Sequence, residues 1–416
     1  MSASALTVLR ARYDKGQGQA LISVCSAHPV VIEAALLHAA SRSQPALIEA
    51  TCNQVNQEGG YTGMTPVDFR DYVFGIADRV GFAREGIILG GDHLGPNPWK
   101  ALPPGEALQK AADMIAAYAE AGFTKLHLDA SMGCKGEAEH LPDAVVAERA
   151  VMLAKRAESV APGQPVYVIG TEIPTPGGAT EALDHVVPTT PEAVRATYRV
   201  HEVAFREALP EAWGRVIGIV VQPGVEFGHD DVAVYQPEAA RALVASLSDL
   251  PGLVFEAHST DYQPGASLAQ LKRDGFCILK VGPELSFALR EALYGLNAIN
   301  GFQDPQAPSL VETMERVMLA APANWQSHYH GDVRSQRILR HFSYSDRIRY
   351  YWPVPEAEKA VQGLMRALGE RALPETMISQ YLPRFFDRVK AGALAAEPER
   401  LLIQSVRDVL DRYETL

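Results

Sequence analysis

The segment Gly86-Ile87-Ile88-Leu89-Gly90 decides the fold, because this short apolar run is followed by Asp92-His93 and then by an amphipathic stretch. The amphipathic stretch, near Glu106–Ala121, repeats apolar residues at helical spacing. A buried strand, a polar loop and a covering helix together form one β/α unit of a parallel sheet. The number of such units along the chain therefore determines the architecture.

Seven further units of this kind are found, which makes eight in all. The predicted strands are Ala20–Cys25, Ala46–Glu49, Gly86–Gly90, Lys125–Asp129, Val166–Gly170, Val216–Val221, Leu253–Ala257 and Cys277–Val281. The predicted helices lie near Val30–Arg42, Pro66–Val80, Glu106–Ala121, Ala144–Glu158, Pro191–Glu207, Pro237–Ser248, Ala266–Arg273 and Glu284–Leu296. Eight units predict a closed (β/α)8 TIM barrel. The alternative, an open doubly wound sheet, favours a glycine-rich turn after its first strand, where this chain has Ser26-Ala27-His28-Pro29.

The strand pattern stops after about residue 300. Helical patterns continue near Ser309–Leu319, Glu356–Leu368 and Pro398–Tyr413, with no low-complexity linker before them. We therefore expect residues 1–300 to form the barrel and residues 301–416 to form a helical extension. This extension is expected to pack on the barrel or to serve a contact in a homo-oligomer.

Composition narrows the class of protein. A hydrophobic fraction of 47% with 21% charged residues is that of a globular chain with a large core. The net charge of −12 argues against nucleic acid and anionic membranes as partners. Four widely spaced cysteines without a CxxC pair indicate reduced thiols, and neither a signal peptide nor a membrane-spanning apolar run is found. We expect a cytoplasmic protein.

Polar side chains lie at nearly every predicted strand end, where barrel enzymes carry their chemistry. In chain order they are Ser26, His28, Glu49, Asp92, His93, His127, Asp129, Thr171, Glu172, Gln222, His229, His258, Asp261 and Lys280. The alternation in Lys125–Asp129 places His127 and Asp129 on one face, which lines either the barrel interior or the layer beneath the helices. So many ionisable groups aimed at one opening would be costly to bury unless they serve a site.

Three histidines at strand ends suggest a catalytic metal. His93, His229 and His258 could supply three imidazoles to one divalent cation and leave positions open for substrate. Zn²⁺ is the first candidate, with Mn²⁺, Ni²⁺ or Co²⁺ as alternatives. Asp92, directly before His93, is placed to move a proton. Each histidine taken alone is also compatible with a hydrogen-bonded core position.

The tail contains one further polar stretch. Asp346-Arg347-Ile348-Arg349-Tyr350-Tyr351-Trp352 could hold an anion, and packing of this run on the barrel is an equally good interpretation.

Long motifs resemble the GatZ/KbaZ family over essentially the whole chain. They include Gly90-Gly91-Asp92-His93-Leu94-Gly95-Pro96-Asn97, Lys125-Leu126-His127-Leu128-Asp129-Ala130-Ser131-Met132, Glu256-Ala257-His258-Ser259-Thr260-Asp261-Tyr262 and Ser345-Asp346-Arg347-Ile348-Arg349-Tyr350-Tyr351-Trp352-Pro353. The resemblance implies a class II aldolase-like barrel. Some members are described as the non-catalytic subunit of tagatose-1,6-bisphosphate aldolase, which supports a separate catalytic chain. Others are described as single-chain 4-epimerases of tagatose or tagatose 6-phosphate.

The resemblance also suggests roles for individual residues. Asp92-His93 is similar to the pair that supplies the proton-moving Asp and one metal ligand in class II aldolases, and His229 and His258 match two later ligands. Glu172 matches a glutamate of a glycine-rich segment and is the second catalytic candidate. The phosphate loop of that class is replaced here by Ser259-Thr260-Asp261, so a phosphate site is not implied.

The leading functional hypothesis is a metal-dependent 4-epimerase of tagatose and fructose, with their 6-phosphates as the first candidate substrates, that works by retro-aldol cleavage and re-addition. Residues expected to bind the substrate are Glu49, Asn53, Asp129, Gln222, Ser259, Asp261 and Lys280. The main alternative is a non-catalytic supporting subunit of a class II D-tagatose-1,6-bisphosphate aldolase. A true aldolase that releases dihydroxyacetone phosphate is a third hypothesis.

Overall fold

Eight parallel strands close into a barrel in the computed structural model, which describes residues 2–17, 19–170, 183 and 186–414. In chain order they are β1 (Leu21–Cys25), β2 (Ala46–Thr51), β3 (Ile87–Leu94), β4 (Lys125–Leu128), β5 (Val166–Ile169), β6 (Val216–Val220), β7 (Val254–Ala257) and β8 (Phe276–Val281). The first and last strands pair in parallel, with Leu21 opposite Ile278, and this pairing closes the sheet. The predicted TIM barrel is confirmed, and each strand lies within a few residues of its predicted position.

Helices surround the barrel and continue beyond it. In chain order they are α1 (Ser2–Thr7), α2 (Leu9–Asp14), α3 (Pro29–Ser41), α4 (Pro66–Val80), α5 (Pro104–Glu120), α6 (Asp143–Val160), α7 (Pro191–Ala208), α8 (Pro210–Trp213), α9 (Pro237–Ser246), α10 (Gly265–Arg273), α11 (Pro283–Gln303), α12 (Leu310–Ala320), α13 (Val333–Phe342), α14 (Pro355–Leu368), α15 (Glu375–Tyr381), α16 (Pro383–Lys390) and α17 (Pro398–Tyr413). Many begin with proline in the first turn, where its missing N–H costs nothing. Thr65 and Asp68 add a capping box at the start of α4. In the part of the chain described, no helix combines the length and apolar character needed to cross a bilayer.

The interior of the barrel is apolar at the amino-terminal end of the strands. Leu47, Ile88 and Ile278 form an interior cluster that Leu6 and Leu9 of α1 and α2 complete. Both leucines are almost fully buried, so the two short N-terminal helices cover this end of the barrel. The sequence analysis did not predict these helices, because each is only six residues long.

The interior becomes polar one layer nearer the carboxyl ends. Because side chains alternate along a strand, Glu49 follows Leu47 and Lys280 follows Ile278 on the inward face. Gly90 makes room for this layer, since a Cβ there would lie 2.6 Å from Cγ of Glu49. The strand periodicity therefore places charged groups directly above an apolar base.

The C-terminal helices pack on the barrel. The Tyr413 hydroxyl in α17 donates a hydrogen bond to the Thr260 carbonyl (2.8 Å), and Lys272 Nζ donates to the Tyr413 carbonyl (2.9 Å). The expected boundary at residue 300 falls within α11, which runs without interruption to Gln303. The division into a barrel and an extension at that residue stays a proposal.

Replacing a buried side chain of α17 tests how much the extension contributes to stability. Leu401 is fully buried in the main hydrophobic core, so Leu401→Ala should lower the free energy of unfolding by about 2–5 kcal/mol. Leu319→Ala is the matched control, because Leu319 is 51% exposed and its loss should cost about 0.5 kcal/mol or less. Urea denaturation followed by circular dichroism measures both. Equal effects of the two substitutions would contradict the packing described for α17.

Candidate functional site

Three histidine rings meet inside the carboxyl-terminal end of the barrel. His93 lies in β3, His127 in β4, and His258 directly follows β7. Their ring centroids are 5.1 Å (His93–His127), 5.0 Å (His93–His258) and 5.1 Å (His127–His258) apart. Such mutual proximity of imidazoles on three separate strands is a geometry suited to metal binding or proton transfer.

A backbone irregularity directs His93 into this cluster. The pairing register between β3 and β4 shifts between Gly91 and Leu94, and His93 has a positive φ of 50°. A positive φ is rare for a residue with a side chain and costs about 1–3 kcal/mol. The His93 backbone nitrogen lies 3.1 Å from Nδ1 of His127, and this contact is one that holds the bulge.

Each imidazole contacts a carboxylate. Nδ1 of His93 lies 2.8 Å from Asp129, and Nδ1 of His127 lies 2.9 Å from Asp92. Nε2 of His258 lies 3.0 Å from Glu256. Carboxylate partners of this kind fix the orientation of a ring and raise its basicity as a ligand.

Two buried lysines bridge the carboxylates below the rings. Lys125 Nζ lies 2.7 Å from Glu49 and 2.8 Å from Glu256. Lys280 Nζ lies 2.9 Å from Glu49, 3.5 Å from Glu256 and in closer contact with Asp92. Each of these side chains is at most 4% exposed, so the charges must be balanced within the barrel.

The cluster has more negative than positive formal charges. Two lysines stand against four carboxylates, which are Glu49, Asp92, Asp129 and Glu256. The imidazoles reduce the excess but do not remove it. At His93 burial is outweighed by the Asp92 and Asp129 carboxylates, which raise its pKa and so add one positive charge. Burial lowers the pKa of His127, and burial with the Lys280 charge lowers the pKa of His258 to about 3. An uncompensated buried charge is costly, so the site calls for a cation.

Three carboxylates of the cluster, Asp92, Glu256 and Asp129, are held in their ionised form. Burial raises the pKa of Asp92, but the charges of His93 and Lys280 outweigh it and bring the pKa well below its ordinary value. Burial is likewise outweighed at Glu256, where Lys125 and Lys280 lower the pKa. At Asp129 the hydrogen bond from His93 opposes burial and lowers the pKa to about 2.

The donor set fits a divalent transition-metal ion. Asp92, His127, Glu256 and His258 each offer one ligand atom, and these four atoms lie within 4.8 Å of one another. Ligands about 2.0–2.2 Å from one ion are at most about 4.4 Å apart, so these side chains would have to move slightly inward to share an ion. In the residues the structure describes, Nε2 of His127 is buried and has no hydrogen-bond partner, so it is available to a metal. Mixed imidazole and carboxylate donors suit Zn²⁺ and its neighbours in the transition series.

The structure brings together two of the three predicted metal histidines. His93 and His258 lie in the cluster, whereas Nε2 of His229 contacts the His328 carbonyl (2.9 Å) and its ring packs against Tyr329. Nδ1 of His229 lies 3.3 Å from Ser345 of the tail. His229 thus joins a loop to the C-terminal extension, and His127 occupies the third position among the rings.

The other predicted residues are distributed over three environments. Asn53, Ser259, Asp261 and Lys280 line a cavity of about 110 Å³ together with Asp92, His93 and His258. Glu49 and Asp129 lie beneath it as partners of charged side chains. Gln222 accepts hydrogen bonds from the Gly224 and Val225 N–H groups and so shapes the loop after β6. Glu172 lies outside the described residues.

Some residues of the site were not predicted to lie in it, although the sequence marked the run Asp346–Trp352, which contains Arg349 and Tyr350, as able to hold an anion. Tyr61, Arg349 and Tyr350 line the cavity, and the rings of Tyr61 and Tyr350 are 4.9 Å apart. Glu226 is also buried near the mouth, and burial raises its pKa to about 7. The strand-end rule could not find Arg349 or Tyr350, because they lie about 70 residues beyond the last strand in the sequence.

Comparison with known proteins gives the same fold and a family. Residues 6–416 match the model of a family described as D-tagatose-1,6-bisphosphate aldolase subunit GatZ/KbaZ-like. The chain is similar to a crystal structure from Sinorhizobium meliloti described as a probable tagatose 6 phosphate kinase. The two are 55% identical with a TM-score of 0.89, and the match covers 95% of this chain and 99% of that one.

Two more distant structures give weaker matches. Fructose-bisphosphate aldolase from Campylobacter jejuni is 15% identical with a TM-score of 0.46, covering 96% of each chain. Fructuronate-tagaturonate epimerase UxaE from Cohnella laeviribosi is 15% identical with a TM-score of 0.49, covering 95% of this chain and 80% of that one. Neither likeness bears on the activity of this chain.

Metal analysis of histidine variants tests the donor set. Wild-type protein incubated with Zn²⁺ or Mn²⁺ and then desalted should retain about one ion per chain, and His127→Ala and His258→Ala should lose most of it because each removes a ligand. His140→Ala, which changes an exposed histidine, is the control. His229→Ala should keep its metal. Inductively coupled plasma mass spectrometry measures the metal content. Loss of metal from His229→Ala would instead support the ligand set predicted from the sequence, His93, His229 and His258.

A lysine substitution tests the charge balance beneath the rings. Lys125→Met leaves Glu49 and Glu256 without one of their buried cations, so it should destabilise the protein by about 3–5 kcal/mol. Lys155→Met removes an exposed lysine and should change little. Both are measured by urea denaturation. If Lys125→Met were as stable as the wild type, the buried network would not limit stability.

Proposed function

The chain belongs to the GatZ/KbaZ-like family of D-tagatose-1,6-bisphosphate aldolase subunits, and on that premise we propose that it is a metal-dependent ketohexose 4-epimerase. The reaction would interconvert tagatose and fructose, most simply as their 6-phosphates. One observation carries the proposal: a single chain clusters three imidazoles, and two of them, His93 and His258, line one cavity together with the ionised Asp92. A chain that only supported another catalyst would not need this set.

Inversion at C4 of a ketohexose requires carbon–carbon chemistry. The C4 hydrogen lies β to the C2 carbonyl and is not acidic, so simple proton abstraction is not available. Loss of the C4 hydroxyl proton allows the C3–C4 bond to break, leaving its electron pair in an enediolate and an aldehyde at C4. Rotation of the aldehyde, renewed bond formation and return of the proton give the C4 epimer, with no atom or electron gained or lost.

Asp92 is the proposed proton acceptor for the C4 hydroxyl. Of the two carboxylates that line the cavity, Asp92 lies beside the imidazoles, while Asp261 is engaged by backbone N–H groups. The pKa of Asp92 is held below its ordinary value, so its carboxylate is ionised at neutral pH. Glu172, which the resemblance matched to a catalytic glutamate, is retained as the second candidate for this role.

The remaining residues hold and orient the sugar. Of the four candidate ligands, His127, His258 and Glu256 would bind the cation, Asp92 is assigned to proton transfer instead, and His93 adjoins them. When bound, a divalent cation supplies a Lewis acid that stabilises the negative charge developing on the sugar oxygens. Lys280 presents its ammonium to the cavity from below, and Asn53 and Ser259 line its walls for hydrogen bonds to hydroxyl groups.

The supporting-subunit hypothesis is the second candidate, because the family description itself names a subunit of an aldolase. In that case the chain would bind a separate class II aldolase chain and raise its activity without turning over substrate. The buried cluster would then serve stability or binding alone.

A time course of purified, metal-loaded chain with tagatose 6-phosphate tests the proposal. We expect ¹³C NMR to show fructose 6-phosphate forming, with kcat lowered about 10²–10⁴-fold in Asp92→Asn because the proton acceptor is lost. Asp113→Asn, an exposed position on α5, should match the wild type. Metal content is measured on each variant, so that a lost proton acceptor is distinguished from a lost ion.

The same assay separates the alternatives. Absence of turnover with tagatose, tagatose 6-phosphate and the fructose forms would reject the epimerase. Activity that appears only after a class II aldolase chain is added would establish the supporting subunit. Release of free triose phosphate, trapped by a coupled dehydrogenase, would indicate an aldolase.

A further inference from the structure

In this barrel, a side chain of the protein occupies the backbone N–H site that commonly binds a phosphate in other barrels. In many TIM barrels the loops after the seventh and eighth strands and a following helix N-terminus bind phosphate through N–H groups. Here Oδ1 of Asp261, in the loop after β7, accepts hydrogen bonds from the N–H groups of Gly282 (3.0 Å) and Glu284 (2.8 Å). Asp261 is only 2% exposed, so these donors are already used.

A second carboxylate, that of Glu284, also makes this site unfavourable for an anion. Oε2 of Glu284 accepts a hydrogen bond from the Tyr262 N–H (2.6 Å), and the guanidinium of Arg412 contacts the same carboxylate. An anionic group on a ligand would meet two carboxylates here instead of free N–H groups. It therefore needs a different partner.

Arg349 offers that partner on the opposite side of the mouth. It donates from Nη1 to the Ser345 and Asp346 carbonyls and from Nη2 to the Tyr350 hydroxyl (2.9 Å). Among the described residues no acceptor contacts its Nε–H, and no carboxylate forms an ion pair with it. A guanidinium presents five donors, so at least two are left for a ligand.

Lys280, the other basic side chain on the cavity wall, is less available to an anionic ligand than Arg349. Its ammonium already contacts Glu49, Asp92 and Glu256. Within the described chain, Arg349 is the cation of this wall that forms no salt bridge with a carboxylate, although Asp346 and Asp261 lie close enough to interact with its charge.

The position of Arg349 fits the far end of a sugar. The cavity above the histidines, about 110 Å³, shares Arg349 and Tyr61 with an adjoining cavity of about 460 Å³ lined by Tyr72 and Trp352. Only the first cavity touches His93 and His258. A ligand whose reacting carbons lie at the histidines therefore extends past Arg349 as it leaves the first cavity.

We propose that Arg349 binds an anionic terminal group, a phosphate ester or a carboxylate, on the sugar that the histidine cluster holds. This inference rests on the proposed sugar substrate and deepens it, because it makes Arg349 the residue that selects charged over neutral ketohexoses. Arginine suits this role, since its planar fork binds both oxyanions in a bidentate manner.

Calorimetric titration with fructose 6-phosphate and with fructose tests the proposal directly. The wild type should bind the phosphate at least roughly ten-fold more tightly, and Arg349→Gln should lose that preference while still binding fructose. Arg349→Lys should keep part of the preference, because it retains the charge but not the fork. Arg273→Gln, an exposed arginine, is the control. No preference in the wild type, or an unchanged preference in Arg349→Gln, would overturn the proposal.

Chemical modification of the wild type keeps the test valid if the Arg349→Gln variant does not fold. Phenylglyoxal labelling mapped by mass spectrometry should show Arg349 protected by fructose 6-phosphate and not by fructose. Protection by both sugars alike, or by neither, would count against the proposal. A ketohexose with a C6 carboxylate in place of the phosphate ester, titrated alongside, identifies which oxyanion binds more tightly.

These measurements do not depend on turnover. A preference for fructose 6-phosphate that requires Arg349, found in a chain without epimerase activity, would support this inference and reject the proposed function. Equal turnover and equal binding of free and phosphorylated sugars would support the proposed function and reject this inference.

Discussion

The imbalance of buried charge at the mouth is the constraint on which the site depends. Four carboxylates face two ammonium groups in a space almost closed to water. Such a network is costly to desolvate, and replacing buried ion pairs by apolar side chains is often neutral or stabilising. Lys125 shows the desolvation cost most clearly. Its side chain is completely buried, and its ammonium forms ion pairs with two buried carboxylates, Glu49 and Glu256. The barrel scaffold must supply enough stability elsewhere to offset it.

The scaffold meets this requirement by separating its interior into two layers. The amino-terminal layer is apolar and is covered by Leu6 and Leu9, whereas the next layer contains the charges. One strand illustrates the division: Val254 belongs to the apolar cluster, Glu256 contacts both lysines, and His258 joins the rings. A strand period of two residues is sufficient to build this gradient. The same alternating strand positions therefore determine both the apolar core and the site.

Backbone strain is also concentrated at the mouth. Of the five non-glycine residues with positive φ in the described chain, four lie there: His93, Ser259, Tyr262 and Asp346. Each such conformation costs of order 1–3 kcal/mol and persists only where the surroundings enforce it. At His93 the enforcing contacts are the bonds to His127 and Asp129. The mouth is thus held rigidly in a geometry that local preference alone would not adopt.

The sequence predicted the barrel well because its information is local. Apolar runs and helical periods recur in each unit, and Thr65 or Thr190 marks a helix start without reference to the rest of the fold. The site was predicted only where a strand end fixed the residue, as at Asp92, His93 and His258. His127 could not be assigned, because a register change of one residue moves a strand side chain to the opposite face. Its neighbour Lys125 carried the missing signal, since a lysine there is tolerable only beside interior carboxylates.

The positions of His229 and Arg349 could not be predicted for a different reason, because the contacts that fix them involve residues distant in sequence. His229 is held by the His328 carbonyl and by Ser345, about 100 residues later, and no local pattern specifies that contact. Arg349 reaches the cavity because the tail folds back over the barrel, with Tyr350 against Tyr61. The C-terminal extension therefore completes the mouth as well as packing on it. The tail thereby brings Arg349, which forms no salt bridge within the described chain, to the cavity beside His93 and His258, as the hypothesis of an epimerase with a charged substrate requires.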